Sequence, residues 1–228
     1  MIKVVASLMC GDWLNLSEDI HKLEAAGVDG FHLDVMDGVF VPNFSMNFWM
    51  LDQVRSKTKL PLDVHLMANE PIRFIKRLAD TGVETITLHA ESTNYLDNAI
   101  TEIKDYGAKA GIALNPETSV YSLRSRIEDN FDNLDLFLFM TSRPGFMGQK
   151  FRGEVVNKIK EAREILKKMG KSPEIMADGG VGPDTIPLLA DAGVNVFVGG
   201  TSGLFIKGTE YSKNVENIKK LANASYKW

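Results

Sequence analysis

Along the chain, short apolar runs of strand length alternate with amphipathic stretches of helix length, and no Pro/Ser-rich linker or low-complexity segment separates them. The apolar runs predict strands at Lys3–Ser7, Gly30–Asp34, Leu62–Leu66, Thr85–His89, Ala108–Leu114, Asp135–Met140, Glu174–Asp178 and Val194–Val198. The amphipathic stretches predict helices near 16–26, 46–57, 71–81, 95–106, 119–129, 152–169, 183–192 and 212–224. Eight strands, each followed by a helix, make a series of βα units.

Three helix endings repeat one pattern: Leu23-Glu-Ala-Ala-Gly27-Val-Asp, Leu78-Ala-Asp-Thr-Gly82-Val-Glu and Leu189-Ala-Asp-Ala-Gly193-Val-Asn. In each, a glycine stands where a left-handed residue would close the helix, and the next apolar residue opens a strand. The glycines lie 55 and 111 residues apart, two and four steps of about 28, and eight such steps account for the 228 residues. This spacing predicts an α/β fold, a single (β/α)8 TIM barrel over residues 1–228. An open doubly wound sheet is the competing arrangement, since it alternates the same elements.

The composition, 44% hydrophobic and 25% charged, is that of an ordinary compact domain and excludes disordered, collagen-like and disulfide-scaffold classes. Lys and Arg number 26 against 30 Asp and Glu, with no basic block, so no nucleic-acid partner is expected. Cys10 has no second cysteine to pair with and reads as a small buried thiol, which fits a reducing, cytoplasmic setting. The apolar stretch Val4–Cys10 is too short for a membrane span and lacks the basic flank and cleavage site of a signal peptide. It reads as the first strand, with no membrane partner.

In a closed barrel the chemistry sits at the C-terminal ends of the strands. Polar residues end several of them: Ser7 the first, His32 and Asp34 the second, His65 the third, His89 the fourth and Asp178 the seventh. His32 and Asp34 are two apart, so strand alternation points both to one side. With His65 one strand over and Asp178 nearly opposite, two imidazoles and two carboxylates converge. Such a mixed nitrogen and oxygen set suits one divalent metal ion, Zn²⁺, Fe²⁺, Mn²⁺ or Co²⁺, without choosing among them. A lone histidine in such a position is as readily a satisfied core residue, and His89 is read that way. Asp63 should point inward beneath His65, where it is either a core group or a partner of a ligand.

Glycines cluster in the last three strand-to-helix loops: Pro144-Gly145-Phe146-Met147-Gly148-Gln149, Gly179-Gly180 and Gly199-Gly200-Thr201-Ser202-Gly203. One such loop would be only a tight turn. Three neighbouring ones let backbone N–H groups surround an anion, as barrels often do after strands seven and eight, and point to a phosphorylated substrate. Met36, Met67 and Met140 fall at or past strand ends, where they read as packing beside the proposed ion.

These residues resemble the ribulose-phosphate 3-epimerase family from Ser7 to Phe205. The most specific match is His32-Leu-Asp34-Val-Met36-Asp37-Gly38-Val-Phe-Val-Pro42-Asn43, followed in order by Leu62-Asp-Val-His65-Leu-Met67, Asn115-Pro-Glu-Thr118, Pro144-Gly-Phe and Asp178-Gly-Gly180. The resemblance implies a metal held by His32, Asp34, His65 and Asp178, with Asp34 and Asp178 also acting as acid and base. It implies substrate contacts from Ser7, His65, Met36, Met67 and Met140. It further implies phosphate contacts from Gly145, Phe146, Met147 and Gly148, from Gly179 and Gly180, and from Gly200, Thr201 and Ser202. Homo-oligomers are also implied.

Where the family commonly has Gly-Gly-Gln, Ser-Ile-Leu-Ser and Gly-Ser-Ala-Ile-Phe, this sequence has Met147-Gly148-Gln149, Ser7-Leu-Met-Cys10 and Thr201-Ser202-Gly-Leu-Phe. These departures, with Asn115-Pro-Glu-Thr118, lean toward the D-allulose-6-phosphate 3-epimerase branch, with D-ribulose 5-phosphate as the alternative substrate. Arg143 fits neither pattern and is expected on the phosphate or on a neighbouring carboxylate. Inverting a carbon beside a ketone through a cis-enediolate needs a proton removed on one face and returned on the other, hence two acid/base groups. A metal-independent phosphosugar lyase would want a lysine at a strand end, and none stands there. A non-catalytic phosphosugar-binding barrel would not need both aspartates.

Overall fold

A computed structural model describes residues 1–124 and 133–228. The strands are β1 (Lys3–Ser7), β2 (Gly30–Met36), β3 (Leu62–Met67), β4 (Thr85–His89), β5 (Lys109–Leu114), β6 (Leu134–Met140), β7 (Glu174–Asp178) and β8 (Val196–Gly199). The helices that alternate with them are α1 (Leu16–Ala25), α2 (Phe48–Lys57), α3 (Ile72–Asp80), α4 (Leu96–Asp105), α5 (Val120–Arg124), α6 (Val155–Lys168), α7 (Ile186–Ala192) and α8 (Tyr211–Ser225). The strands pair in chain order, all parallel, and Val196 of β8 is aligned with both Met176 of β7 and Lys3 of β1. The sheet therefore closes, which decides between the barrel and the open sheet. The expected helix 119–129 is present over Val120–Arg124, and its remainder lies outside the described residues.

Strand alternation divides the apolar residues between two cores. On β6, Leu136, Leu138 and Met140 point into the lumen, while Phe137 and Phe139 pack outward beneath the helices. On β2 the outward set is Phe31, Leu33 and Val35, which frees His32, Asp34 and Met36 to face inward. Each large side chain buried under the helix ring stabilises the fold by about 1.5–3 kcal/mol relative to exposure. The repeated glycines close their helices as anticipated: Gly27, Gly82 and Gly193 take φ of 83°, 81° and 109°. The Val28 and Val194 N–H groups then return to the carbonyls of Leu23 and Leu189.

The first strand is shorter than the apolar stretch that encodes it. It stops at Ser7, and Leu8–Cys10 forms a single 3-10 turn closed by the Gly11 N–H on the Leu8 carbonyl at 3.2 Å. The turn carries the chain over the rim, so Cys10 is half-buried at the mouth and not a core thiol. Among the described residues, no helix is long and apolar enough to cross a membrane.

Candidate active site

Parallel register sets the height of each side chain in the barrel. Asp34 is level with His65, Met36 with Met67, and Met140 with Asp178, all at the C-terminal rim. His32 lies one inward step below Asp34, level with Asp63 of β3. The result is a buried cluster in which His32, Asp34, His65 and Asp178 each offer one donor atom, all within 4.8 Å of one another.

Of the separations within the cluster, His65 Nδ1 to Asp34 Oδ1 is a hydrogen bond and the others are not. His32 Nε2 lies 3.5 Å from Asp34 Oδ1 and 3.9 Å from Asp178 Oδ2, and His65 Nδ1 lies 3.3 Å and 3.7 Å from the same two oxygens. Donors about 2.1 Å from one tetrahedral ion stand about 3.4 Å apart. His32 Nε2 is fully buried and has no hydrogen-bond partner. An orphaned imidazole nitrogen facing two carboxylates is what a cation satisfies, so the donor set fits a divalent metal ion.

The charges within the cluster are sharply divided. Burial works against charge on His32, but Asp34 and Asp63 outweigh it and raise its pKa well above the ordinary histidine value. Burial opposes the Asp34 charge as well, yet His32 and His65 hold that carboxyl well below the usual range. Asp178 goes the other way, raised by burial and then by the Asp34 charge. Burial lowers His65 and keeps it neutral. Two carboxyls at one point are thus pushed apart, one toward the ionised form and the other toward the protonated form.

Neighbours fix three of the four members. Ser7 Oγ donates to Asp34 Oδ2 at 2.9 Å. Asp63 Oδ2 lies 2.7 Å from His32 Nδ1, and Thr87 Oγ1 donates to the other Asp63 oxygen at 3.2 Å. Asp63, open in the sequence, is therefore the partner of His32. His89 stands Nε2 to Nε2 with His65 at 2.8 Å, and its Nδ1 is 3.2 Å from Glu91 Oε2. Reading His89 as core packing missed that contact. Its face was available in the sequence, since Thr85, Thr87 and His89 alternate inward, but its match to His65 depends on barrel register.

The opposite side of the mouth is lined by Met140 and by the glycine-bearing loops after β6, β7 and β8, together with Met9, which the sequence did not single out. Met36 and Met67 pack with Val41 as a buried apolar group at the rim. Gly179 has φ of 109°, and a Cβ there would come within 2.2 Å of Ser142 Oγ and 2.7 Å of its backbone N. Only glycine lets the β7 loop lie this close to the β6 loop. The N–H groups of Gly180 and Ser202 donate to no acceptor among the described residues.

In the β6 loop, Gln149 Nε2 donates to the Arg143 and Phe146 carbonyls, and Asn43 Nδ2 donates to the Gly145 carbonyl at 2.7 Å. Gly148 and the exposed side chains of Phe146 and Met147 stand at the rim of the mouth, as do Gly200 and Thr201 on the β8 loop. Arg143, largely exposed, points to Glu117 at 3.6 Å, one of its two expected partners, and also borders the mouth. Burial pushes the Cys10 thiol up to about 11, which leaves it protonated beside the site.

Fold and site together define a class, a (β/α)8-barrel protein with a two-histidine, two-carboxylate centre at the strand ends and glycine loops opposite. Residues 3–205 match the model of the ribulose-phosphate 3 epimerase family. The chain is 44% identical over 203 residues to the ribulose-phosphate 3-epimerase of Bacillus subtilis, covering 89% of this chain and 92% of that one. It is 37% identical over 222 residues to the enzyme of that name from Methanocaldococcus jannaschii, covering 97% and 92%. The chloroplastic ribulose-5-phosphate-3-epimerase of Arabidopsis thaliana is 38% identical over 220 residues, covering 96% of this chain and 76% of that one. Among solved structures, KGPDC from Streptococcus mutans superposes with a TM-score of 0.70 at 15% identity, covering 99% of both chains, a likeness of fold alone. The chain belongs to the ribulose-phosphate 3-epimerase family, whose named members are isomerases.

Proposed function

We propose that the protein is a divalent-metal-dependent D-ribulose-5-phosphate 3-epimerase, interconverting that sugar and its C3 epimer through a cis-enediolate. The observation that carries the reading is the convergence of one oxygen from Asp34 on β2 and one from Asp178 on β7 upon the same buried point as His32 and His65. His32, Asp34, His65 and Asp178 would hold the ion, Zn²⁺, Fe²⁺, Mn²⁺ or Co²⁺ by donor type. Bound there, it supplies Lewis-acid stabilisation for negative charge developing on oxygens beside the reacting carbon.

The chain's own residues move the protons. Asp34, held ionised, takes the C3 proton, and Asp178, held protonated, delivers one to the opposite face. The roles exchange in the reverse direction, so each cycle leaves the pair with one proton. Ser7 keeps the Asp34 carboxylate aimed. Met36, Met67 and Met140 line the sugar and keep water from the intermediate. The phosphate goes to the N–H groups of the loops containing Gly145, Gly148, Gly179, Gly180, Gly200 and Ser202, flanked by Phe146, Met147 and Thr201.

The named relatives favour the pentose phosphate over the D-allulose 6-phosphate suggested by the loop departures. Met147, the most conspicuous departure, is 51% exposed at the rim. Turnover of the two sugar phosphates side by side tests this choice. A kcat/KM at least about tenfold higher for the pentose is expected for discrimination of one CHOH unit. A higher value for the hexose overturns the substrate, and turnover of neither overturns the epimerase. A cytoplasmic location and a homo-oligomeric state belong to the same reading. Val39, Phe44 and Trp49 are exposed apolar side chains, at 71%, 79% and 80%, and sedimentation velocity checks the oligomeric state.

A further inference from the structure

A neutral histidine that ligates through Nδ1 carries its proton on Nε2. His65 presents Nδ1 to Asp34 and Asp178, and its Nε2 lies 2.8 Å from Nε2 of His89. If His65 donates across that contact, His89 Nε2 must accept. His89 then holds its own proton on Nδ1, which faces Glu91 Oε2 at 3.2 Å. The other carboxylate oxygen, Oε1, accepts from the Asn115 N–H at 2.9 Å and from Thr118 Oγ1. Both rings are fully buried, stacked with centroids 4.9 Å apart, and the Phe40 ring lies 4.7 Å from His89, so neither is free to turn away.

We propose that Glu91 is a positioning residue that fixes the tautomer of His65 through His89 and so keeps His65 Nδ1 free to bind a divalent cation. The inference rests on the reading of the four donors as a metal centre. A carboxylate can only accept, so with a cation on His65 Nδ1, in place of the 3.3 Å hydrogen bond to Asp34 Oδ1, the protons have one order: His65 Nε2–H to His89 Nε2, and His89 Nδ1–H to Glu91. His32 needs no such relay, because Asp63 takes its Nδ1 proton directly. The two ligand histidines present opposite ring nitrogens to the centre, and each has the carboxylate its tautomer requires.

Glu91→Gln should reverse the order. Its amide oxygen stays on the Asn115 N–H, which turns the NH₂ group toward His89 Nδ1. His89 must then accept there and carry its proton on Nε2. His65 Nε2 becomes the acceptor, and the His65 proton moves to Nδ1, where it points at Asp34 and Asp178 and blocks ligation.

Long-range ¹H–¹⁵N NMR on the Zn²⁺-loaded full chain reads both tautomers, and calorimetric titration of the metal-free chain with Zn²⁺ reads affinity. The wild type should show His65 as Nε2–H and His89 as Nδ1–H. Glu91→Gln should move the His89 proton to Nε2 and weaken Zn²⁺ binding about 10–100-fold, the range for partners of ligand histidines. A structural role alone would change stability and leave the tautomers in place. Opposite tautomers in the wild type, or unchanged tautomers and affinity in Glu91→Gln, overturn the relay while leaving the metal centre standing. A wild-type chain that binds no Zn²⁺ overturns the metal reading and this one with it. Should the variant fail to fold, the wild-type tautomers still decide.

Discussion

On β2 to β4 the lumen carries His32, Asp34, Asp63, His65, Thr87 and His89, whereas on β5 to β8 it is lined by Ala113, Leu136, Leu138, Met140, Met176, Val196 and Val198, with Asp178 at the end of β7 the exception that completes the polar cluster. Both sets are buried, but they do different work. Each polar residue has a buried neighbour that sets its orientation, as Thr87 does for Asp63 and Asp63 for His32. The apolar half contributes a wall of low polarity that strengthens every charge interaction opposite it. Above that wall the loops that border the mouth turn to glycine.

This division is open to attack from both sides. The largest effect should come from the polar cluster. Asp34→Asn and Asp178→Asn are each expected to lower epimerisation about 10²–10⁴-fold with an unchanged circular dichroism spectrum. Treatment with a chelator should abolish turnover, and added divalent ion should restore it, as a coupled assay can follow. Gly179→Ala comes next, on the backbone-recognition side. The Cβ clash with Ser142 and the left-handed backbone should cost about 1–3 kcal/mol in denaturant unfolding and raise KM for the phosphorylated substrate. Thr87→Val leaves one Asp63 oxygen without its donor and should cost about 1–3 kcal/mol. Met140→Leu, a volume-conserving change on the apolar half, should cost less than about 1.5 kcal/mol and leave metal affinity unaltered.

Much of this division is visible in the sequence. Inward positions follow from period-2 alternation, so Ser7, His32, Asp34, His65 and Asp178 can be placed at the mouth from their strand ends alone. The glycines at 27, 82 and 193 announce closure because a left-handed residue is needed to end each helix. What alternation cannot supply is the height of one strand against the next, which follows from barrel tilt. That is why His89 looked like core until register set it against His65, and why Asp63 was not tied to His32. The loops were legible in composition but not in direction. Arg143 turns to Glu117, and Asn43 reaches across the mouth to the Gly145 carbonyl, a pairing of residues 102 apart in the chain.

The central claim is that two aspartyl groups serve opposite faces of one carbon, and isotope transfer in D₂O tests it most directly. In the first turnovers of D-ribulose 5-phosphate, the epimerised product should carry solvent deuterium at C3 while unreacted substrate remains unlabelled. Product that retains its original C3 hydrogen would contradict the account.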